Sequence, residues 1–202
     1  MIDNLELIKP LLNFESEGDF YMLYVLKRKK DQPEEERDNH QSVRTIRSYC
    51  ISSVDQLERK YEEIKMLCET FKARAYIHVQ KQNHKDVALN MMIALAERIR
   101  NGQHEQQNLF DSVVGQLKTY ENRWIVDIDT KDENVILKIM KIVNSVRPEG
   151  NKIYATIPTK SGVHLITGRF DVAEFQKYFM GGVVPDIQKK NPTLLYLPNS
   201  LA

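Results

Sequence analysis

The segment Arg123–Thr130, RWIVDIDT, decides the fold and the site that this sequence predicts. Apolar strand-forming residues alternate here with acidic residues. Side chains of an extended strand point to alternate faces, so Asp127 and Asp129 share one face and the apolar residues beside them share the other. Two carboxylates one pleat repeat apart, about 7 Å between their Cα atoms, can converge on one divalent cation. The segment therefore predicts a half-buried strand that carries a candidate metal site.

A second strand-like run follows about thirty residues later, at Ile153–Thr167, IYATIPTKSGVHLIT. Polar residues interrupt it where a turn is expected, at Ser161 and Gly162, and His164 comes directly after the turn. If this strand lies beside the first acidic strand, His164 faces the two aspartates. The two segments together predict one polar site on one face of a sheet.

Length and composition indicate an ordinary soluble globular protein. The 202 residues are enough for one domain or for two small interlocked lobes, with 42% hydrophobic and 28% charged residues. No apolar run reaches the roughly 18 residues of a membrane span, and the first residues, MIDNLELIKP, do not resemble a signal peptide. We therefore expect a cytoplasmic location without membrane contact, and reduced thiols at Cys50 and Cys68.

Net charge restricts the partners of this chain. A formal charge of +1 excludes a globally basic, histone-like nucleic-acid binder, so any nucleic-acid contact has to be local. One local candidate is the predicted strand Ala73–Gln80, which places Arg74 and Tyr76 on one face together with a histidine and a glutamine. This face either contacts a nucleic-acid backbone or simply meets solvent.

The first half of the chain reads as a mixed α/β unit. Hydrophobic periodicity and turn residues predict strands and helices in the order ββαβαα. The predicted elements are strands at Asp19–Arg28, Ser42–Ser52 and Ala73–Gln80, and helices at Val54–Lys72, Lys85–Arg100 and Gln106–Tyr120. The charged stretch Lys29–Gln41 is predicted to be a long loop, either merely solvated or able to bind phosphate.

The second half has the order β-α-β-β-α-β, which is the ferredoxin-like arrangement. The last strand of this order is predicted at Thr193–Leu197, and the sheet is expected to keep one face open for ligands while both helices pack on the other. The fold class is accordingly α+β, with an N-terminal α/β lobe at 1–120 packed on a ferredoxin-like lobe at 121–202.

An Asp-x-Asp pair on the first strand of such a module, followed by Ser-Gly-Val-His on a later strand, resembles the archaeo-eukaryotic primase superfamily. This superfamily includes primase small subunits and the primase-polymerases of phages and other mobile elements. Its members place an N-terminal α/β lobe before a catalytic lobe of RNA-recognition-like fold, and the arrangement of the whole chain is similar. The residue match consists of the two short motifs.

The resemblance implies roles for specific side chains. Asp127 and Asp129 would hold Mg²⁺ or Mn²⁺, which in such enzymes activates a primer hydroxyl and stabilises the leaving pyrophosphate. Ser161 and His164 would contact the phosphates of a nucleoside triphosphate, and His164 would thereby belong to the catalytic site. Two cations that flank the histidine strand would neutralise the triphosphate, namely Lys160 and Arg169. The implied partners are single-stranded DNA or RNA as template and a helicase or other replication protein.

One motif of the superfamily is missing from its expected place. The third motif is a hydrophobic residue followed by an acid on a later strand, and the last apolar strand predicted here, TLLYLP, contains no acid. Asp171 and Asp186 are possible substitutes, although neither lies in a predicted strand. Binding of nucleotide is therefore better supported by the sequence than catalysis.

Each motif also has a purely structural interpretation. Asp127 and Asp129 could cap the next helix or pair with basic residues, His164 could be an ordinary buried histidine, and Ser161-Gly162 could be only a hairpin turn. Two functional hypotheses remain. The first is a metal-dependent nucleotidyltransferase of primase-polymerase type acting in DNA replication, and the second is a non-catalytic nucleotide- or nucleic-acid-binding relative of it.

Overall fold

The computed structural model of this chain describes residues 1–32, 43–103, 108–117, 122–180 and 182–201. The protein is mixed α+β and contains two antiparallel sheets, which confirms the predicted class. Of the predicted loop Lys29–Gln41, the first residues form a short 3-10 turn at Lys29–Asp31. The rest of that loop, from residue 33, lies outside the described residues.

The described strands follow the chain in an order close to the predicted one. They are β1 (Ile2–Asp3), β2 (Asp19–Arg28), β3 (Val43–Ile51), β4 (Arg74–Ile77), β5 (Gln82–Asn83), β6 (Trp124–Ile128), β7 (Ile153–Pro158), β8 (Val163–Thr167), β9 (Asp186–Gln188) and β10 (Thr193–Leu197). The described α-helices are α1 (Leu5–Ile8), α2 (Val54–Phe71), α3 (His84–Arg100), α4 (Leu109–Gln116), α5 (Glu133–Ser145) and α6 (Val172–Lys177). The short elements β1, α1, β5 and β9 were not predicted.

The first sheet is built around β2. Its strand order is β1-β10-β4-β2-β3, and β5 pairs with one end of β2. Helix α2 packs on this sheet through Leu57, Ile64 and Cys68, which are fully buried. The predicted helix start is confirmed at Ser53, whose Oγ accepts a hydrogen bond of 3.0 Å from the backbone N–H of Gln56.

The second sheet has the strand order β7-β8-β6-β9. Helices α5 and α6 cover one face of it, where Val126 and Leu165 of the sheet pack with Val143 and Phe175 of the helices. The sequence suggested that the opposite face is open for ligands, but it is not. Its apolar residues are buried in the same core as the first sheet, and they are Ile125, Ile157 and Ile166. The two sheets therefore pack against each other at this end, and space for a ligand remains only where the apolar contact stops.

The assignment of the last strand was wrong. Strand β10 pairs with β4 and β1 in the first sheet, and the fourth strand of the second sheet is instead β9. All five residues of β10 are buried, because the strand is covered on both faces. The division of the chain at residues 120 and 121 stays a prediction, but β10 lies beyond it in sequence and belongs to the first sheet.

Further contacts join the two sheets. The side-chain amide of Asn4 donates hydrogen bonds of 2.9 Å to the carbonyl oxygens of Pro158 in β7 and Leu194 in β10. Cys50 and Cys68 are both free thiols, as predicted. Among the described residues, no helix combines the length and apolar character needed to cross a bilayer.

Candidate functional site

Strands β6 and β8 are antiparallel neighbours, and their register pairs Asp127 directly with His164. The Nε2 atom of His164 lies 3.5 Å from Oδ1 of Asp127. The predicted proximity of these two residues is therefore confirmed. The side chains of Asp127, Asp129 and His164 lie in one cleft, together with Ser161.

Gly162 allows the two strands to approach closely where β8 begins. A Cβ atom at this position would overlap the carbonyl oxygen of Ile128 and lie 2.6 Å from the backbone nitrogen of Thr130. The turn before β8 is closed by the backbone N–H of Thr159, which donates 2.8 Å to the carbonyl oxygen of Gly162. The structural interpretation of Ser161-Gly162 as a turn is thus correct, and the same turn brings Ser161 beside the end of β6.

His164 is held between the two sheets. Its side chain is nearly buried, and Nδ1 lies 2.9 Å from Oγ1 of Thr193 in β10. Burial lowers the pKa of His164 to about 4, with a further small decrease from the positive charge of Arg28 and an opposing increase from Asp129. The ring is therefore neutral near pH 7, so it offers a hydrogen-bonding group without a positive charge.

Asp127 is a half-buried carboxylate in a negative environment. Burial raises its pKa, and the nearby charges of Asp129 and Asp186 raise it further, whereas Arg28 lowers it. The Nε2 amide of Gln188 donates a hydrogen bond of 3.2 Å to Oδ2 of Asp127 and one of 3.0 Å to Oδ2 of Asp186. The uncharged amide of Gln188 thus partly offsets the repulsion between the carboxylates of Asp127 and Asp186.

Asp186, one of the two possible substitutes for the missing third acid, lies on a strand beside β6. It is the first residue of β9, and its Cα pairs with that of Asp127. Paired residues of neighbouring strands point to the same face, so Asp186 lies on the face of Asp127 and His164. The sequence signal was the apolar run Val183-Val184-Pro185 before the acid. The strand of Asp186 was not predicted because β9 has only three residues, two of them polar.

Asp171, the other suggested substitute, is not part of this site. Its Oδ1 accepts a hydrogen bond of 2.9 Å from the backbone N–H of Glu174 and so caps helix α6, and its Oδ2 pairs with Arg147 at 3.1 Å. A capping role was also the structural alternative for Asp127 and Asp129. The residue that caps helix α5 is instead Asp132, whose Oδ1 accepts 2.9 Å from the backbone N–H of Asn134.

The first sheet forms the opposite wall of the cleft, which has a volume of about 290 Å³. Arg28 at the end of β2 and Arg74 and Tyr76 of β4 line it. Arg74 is almost fully buried and pairs with Asp31 at 2.6 Å, while its Nε has no hydrogen-bond partner among the described residues. The polar face of the predicted strand Ala73–Gln80 therefore meets the cleft at this end rather than bulk solvent. Sequence reasoning alone could not assign these arginines to the site of the aspartates.

The two predicted phosphate-binding cations lie in different places. Lys160 lines the cleft, and its Nζ donates 2.6 Å to the carbonyl oxygen of Leu201. Arg169 lies beyond the far end of β8, where it contacts the side chain of Asn122. The structure thus brings together Asp127, Asp129, Lys160, Ser161 and His164, but it does not bring Arg169 to them.

The donor atoms fit a hard divalent cation, because Mg²⁺ and Mn²⁺ prefer carboxylate oxygens. In the part of the chain that is described, no three His, Cys, Asp or Glu side chains already converge as a set of metal ligands. Mg²⁺ usually takes one or two carboxylates, and waters and substrate phosphates complete its shell. Asp127 and Asp129, with Asp186 beside them, are compatible with this kind of shared site.

Comparisons of this chain with protein-family models, with curated proteins and with solved structures found no match.

We expect the free energy of unfolding to fall as the pH is lowered from about 6.5 to 4. His164 and His78 both have a pKa of about 4 in the folded protein because burial disfavours the charged ring, whereas histidines of an unfolded chain titrate near 6.5. Groups with a lowered folded-state pKa stabilise the fold above the unfolded-state value, and this contribution is lost as the pH falls through the folded-state value. Two such groups give a slope of up to about 3 kcal/mol per pH unit.

Asp127 contributes with the opposite sign. Its folded-state pKa is raised, so its contribution to stability grows as the pH falls. Urea unfolding at a series of pH values measures the sum of the histidine and Asp127 contributions to the free energy of unfolding. His164→Gln should remove about half of the pH dependence that the two histidines cause. If the free energy of unfolding of this variant depended on pH as in the wild type, His164 would not be one of the groups that take up a proton in this range.

Proposed function

We propose that this protein is a metal-dependent nucleotidyltransferase of primase-polymerase type. The observation that carries the proposal is the distribution of charge across the cleft between the two sheets. Acids line one wall, at Asp127 and Asp129, and arginines line the other, at Arg28 and Arg74. Carboxylates are suited to divalent cations and guanidinium groups to phosphates, so the cleft suits a nucleoside triphosphate bound with its cation.

The arrangement of the second sheet supports the same proposal. Strands β6, β7, β8 and β9 are the four strands of a β-α-β-β-α-β unit, and their spatial order β9-β6-β8-β7 is that of a ferredoxin-like sheet. In this unit the acids lie on the first strand, which is central, and on the fourth, its neighbour at the edge of the sheet, while His164 lies on the third, the other central strand. Asp186, which pairs with Asp127 on a strand after the histidine, is our candidate for the third acid.

The proposed roles follow from position. Asp127 and Asp129 hold Mg²⁺ or Mn²⁺, and Asp186 supplies additional negative charge beside them. When bound, the cation supplies Lewis-acid activation of the attacking hydroxyl and stabilisation of the leaving pyrophosphate. Lys160 and Ser161, on the turn before β8, are positioned to contact the phosphates. Lys160 would then exchange its exposed hydrogen bond to the carbonyl oxygen of Leu201 for a charged phosphate.

His164 and Arg74 are rigid parts of this site. Neutral His164, fixed by Thr193, can hydrogen-bond a phosphate oxygen without side-chain rearrangement. Arg74 is fixed by its short ion pair with Asp31 and is already desolvated. A buried guanidinium that keeps an unpartnered N–H gains more from an incoming anion than an exposed one does, because little of its hydration remains to be lost.

The test is nucleotide binding and primer extension by the full chain. We expect calorimetry to detect weak binding of Mn²⁺ alone and at least tenfold tighter binding of a nucleoside triphosphate when Mn²⁺ is present, because phosphate oxygens complete the cation's shell. Extension of a labelled primer on a single-stranded template should require Mn²⁺ or Mg²⁺ and stop with a chelator. Nucleotide binding that is independent of the cation would contradict the proposal.

One observation favours a second candidate, a non-catalytic nucleotide-binding relative. The amide of Gln188 already bridges Asp127 and Asp186, where a cation would compete with it. In this case Gln188→Ala should leave nucleotide binding insensitive to Mn²⁺, and every combination of template, nucleotide and metal should be inactive. If the first proposal holds, the same substitution should increase Mn²⁺ affinity, since a competing donor is removed. The template, a helicase partner and a mobile-element origin stay predictions of the resemblance, and the cytoplasmic location stays a prediction from the sequence.

A further inference from the structure

A second cleft, with a volume of about 820 Å³, lies at the opposite end of β6 from the acids. Trp124, the first residue of β6, lines it together with Phe170 after β8. Basic residues surround these two rings. They are Arg147, Arg169, Lys189 and Lys190.

The positive charge of this second cleft is only partly neutralised by described residues. Arg147 is paired with Asp171 and Glu174, both at 3.1 Å. By contrast, the described partner of Arg169 is the uncharged side chain of Asn122. Lys190 donates to carbonyl oxygens at the end of α4, at 2.8 Å to Gly115. Asp171 is the one acid among the lining residues that the structure describes, and Arg147 already pairs with it. The second cleft therefore attracts anions.

Aromatic surface accompanies the charge. The Nζ atom of Lys189 lies 5.0 Å from the centre of the Trp124 ring, and Phe170 packs edge-on against the same ring at 5.5 Å. The cation–π contact holds the Lys189 ammonium at the cleft, and no described carboxylate pairs with it. The ring is partly exposed, so a ligand that combines phosphates with flat apolar groups fits better than one that carries charge alone.

The two clefts are adjacent along one short segment. Gln188, at the end of β9, lines the first cleft, Lys189 and Lys190 line the second, and Asn191 and Pro192 line the first again. Trp124 and Asp127 belong to the same strand, three residues apart, so their Cα atoms are about 10 Å apart and their side chains point to opposite faces of the sheet. Because β9 is the edge strand beside β6, a single strand that follows residues 188–192 around this edge could contact both clefts.

We propose that the second cleft binds the backbone of single-stranded nucleic acid, as the path of the strand that enters or leaves the first cleft. The proposal names the route of the template and in that respect rests on the proposed function. An acidic peptide would satisfy the lysines and Arg169, but it offers no flat groups for Trp124 and no continuity with a cleft for nucleotide phosphates.

The experiment is binding of fluorescein-labelled oligo(dT) to the full chain by anisotropy, without metal or nucleotide, at several salt concentrations. The variant Arg169→Ala/Lys189→Ala removes two phosphate contacts and leaves Lys190, which holds the end of α4. We expect affinity to fall about tenfold near 0.1 M salt, and the slope of log K against log salt to decrease by about 1.4, since each single-strand phosphate contact contributes about 0.7. The matched control Lys138→Ala/Lys141→Ala removes two exposed lysines of α5 and should leave both quantities nearly unchanged.

Equal losses in the two double variants would overturn the proposal, since they would indicate only a general charge effect. Competition by poly-glutamate as strong as that by unlabelled oligo(dT) would also overturn it, because the cleft would then recognise charge alone. Urea unfolding of each variant checks that the fold is intact. Binding of a nucleoside triphosphate with Mn²⁺ tests the first cleft separately. If the protein does not bind the nucleotide, the proposed function is contradicted. A loss of oligo(dT) binding in Arg169→Ala/Lys189→Ala would still support the second cleft in that case.

Discussion

Asp127→Asn is expected to lower the rate of primer extension by at least about 10² to 10³-fold while the protein stays folded. The substitution removes the charge of a cation ligand and keeps its shape, so stabilisation of the transition state is lost. Stability should not decrease, because the raised pKa of Asp127 means that its charge is unfavourable in the folded protein. The measurements are extension of a labelled primer with Mn²⁺ and unfolding in urea. Asp129→Asn should give a similar loss of activity.

The chain offers a close control for these variants. Asp132→Asn also removes one carboxylate shortly after β6, but Asp132 caps α5, and asparagine is as good an N-cap as aspartate. This variant should keep both activity and stability. Asp186→Asn should match the loss of Asp127→Asn if Asp186 acts with the pair. Full activity in Asp127→Asn, or an equal loss of activity in Asp132→Asn, would contradict a catalytic role of Asp127.

Gly162→Ala is expected to destabilise the protein by about 3 kcal/mol or more, at the upper end of what overpacking costs. The new methyl group would meet backbone atoms of Ile128 and Thr130, which cannot rotate away as a side chain can. Relief requires β8 to separate from the end of β6, so the remaining folded protein should also lose nucleotide binding. Urea unfolding and calorimetry with a nucleoside triphosphate measure the two effects.

Two glycines serve as controls for Gly162→Ala. A Cβ at Gly168 would lie 3.4 Å from the hydroxyl of Tyr154, a side chain that can shift, so Gly168→Ala should cost much less. A Cβ at Gly115 in α4 meets no atom within 4 Å, and alanine favours helix by up to about 1 kcal/mol over glycine. If Gly162→Ala were as stable as these variants, the close approach of β6 and β8 would not be required.

The central part of the site could be predicted from sequence because it depends on a pattern of period two. Alternation in β6 and β8 indicated which face Asp127 and His164 share, and the β-α-β-β order suggested that the two strands are neighbours. Their register, Asp127 opposite His164, agrees with this. No such pattern exists for β9. A strand of three residues is too short for periodicity to identify it, and so the position of Asp186 required the structure.

The assignment of β10 failed for a different reason. TLLYL is apolar at every position but the first and therefore fits the centre of any sheet, whereas a strand with one face open to ligand should alternate. Its lack of alternation was a signal that both of its faces are covered, as the burial of Leu194 and Leu195 shows. Side-chain contacts between residues far apart in the chain leave even less trace in sequence. The pairing of Arg74 with Asp31 joins residues 43 positions apart through the three-dimensional fold alone.

The position of β10 also determines when the protein can assemble. Its two neighbours, β1 and β4, come from the first 77 residues, yet they are not joined to each other until residues 193–197 lie between them. During synthesis the first sheet therefore stays divided until the ribosome has released nearly all of this sequence. Such long-range pairing raises the contact order and slows folding. Because Thr193 also contacts His164, the last strand to be inserted completes the sheet and fixes the site in the same step.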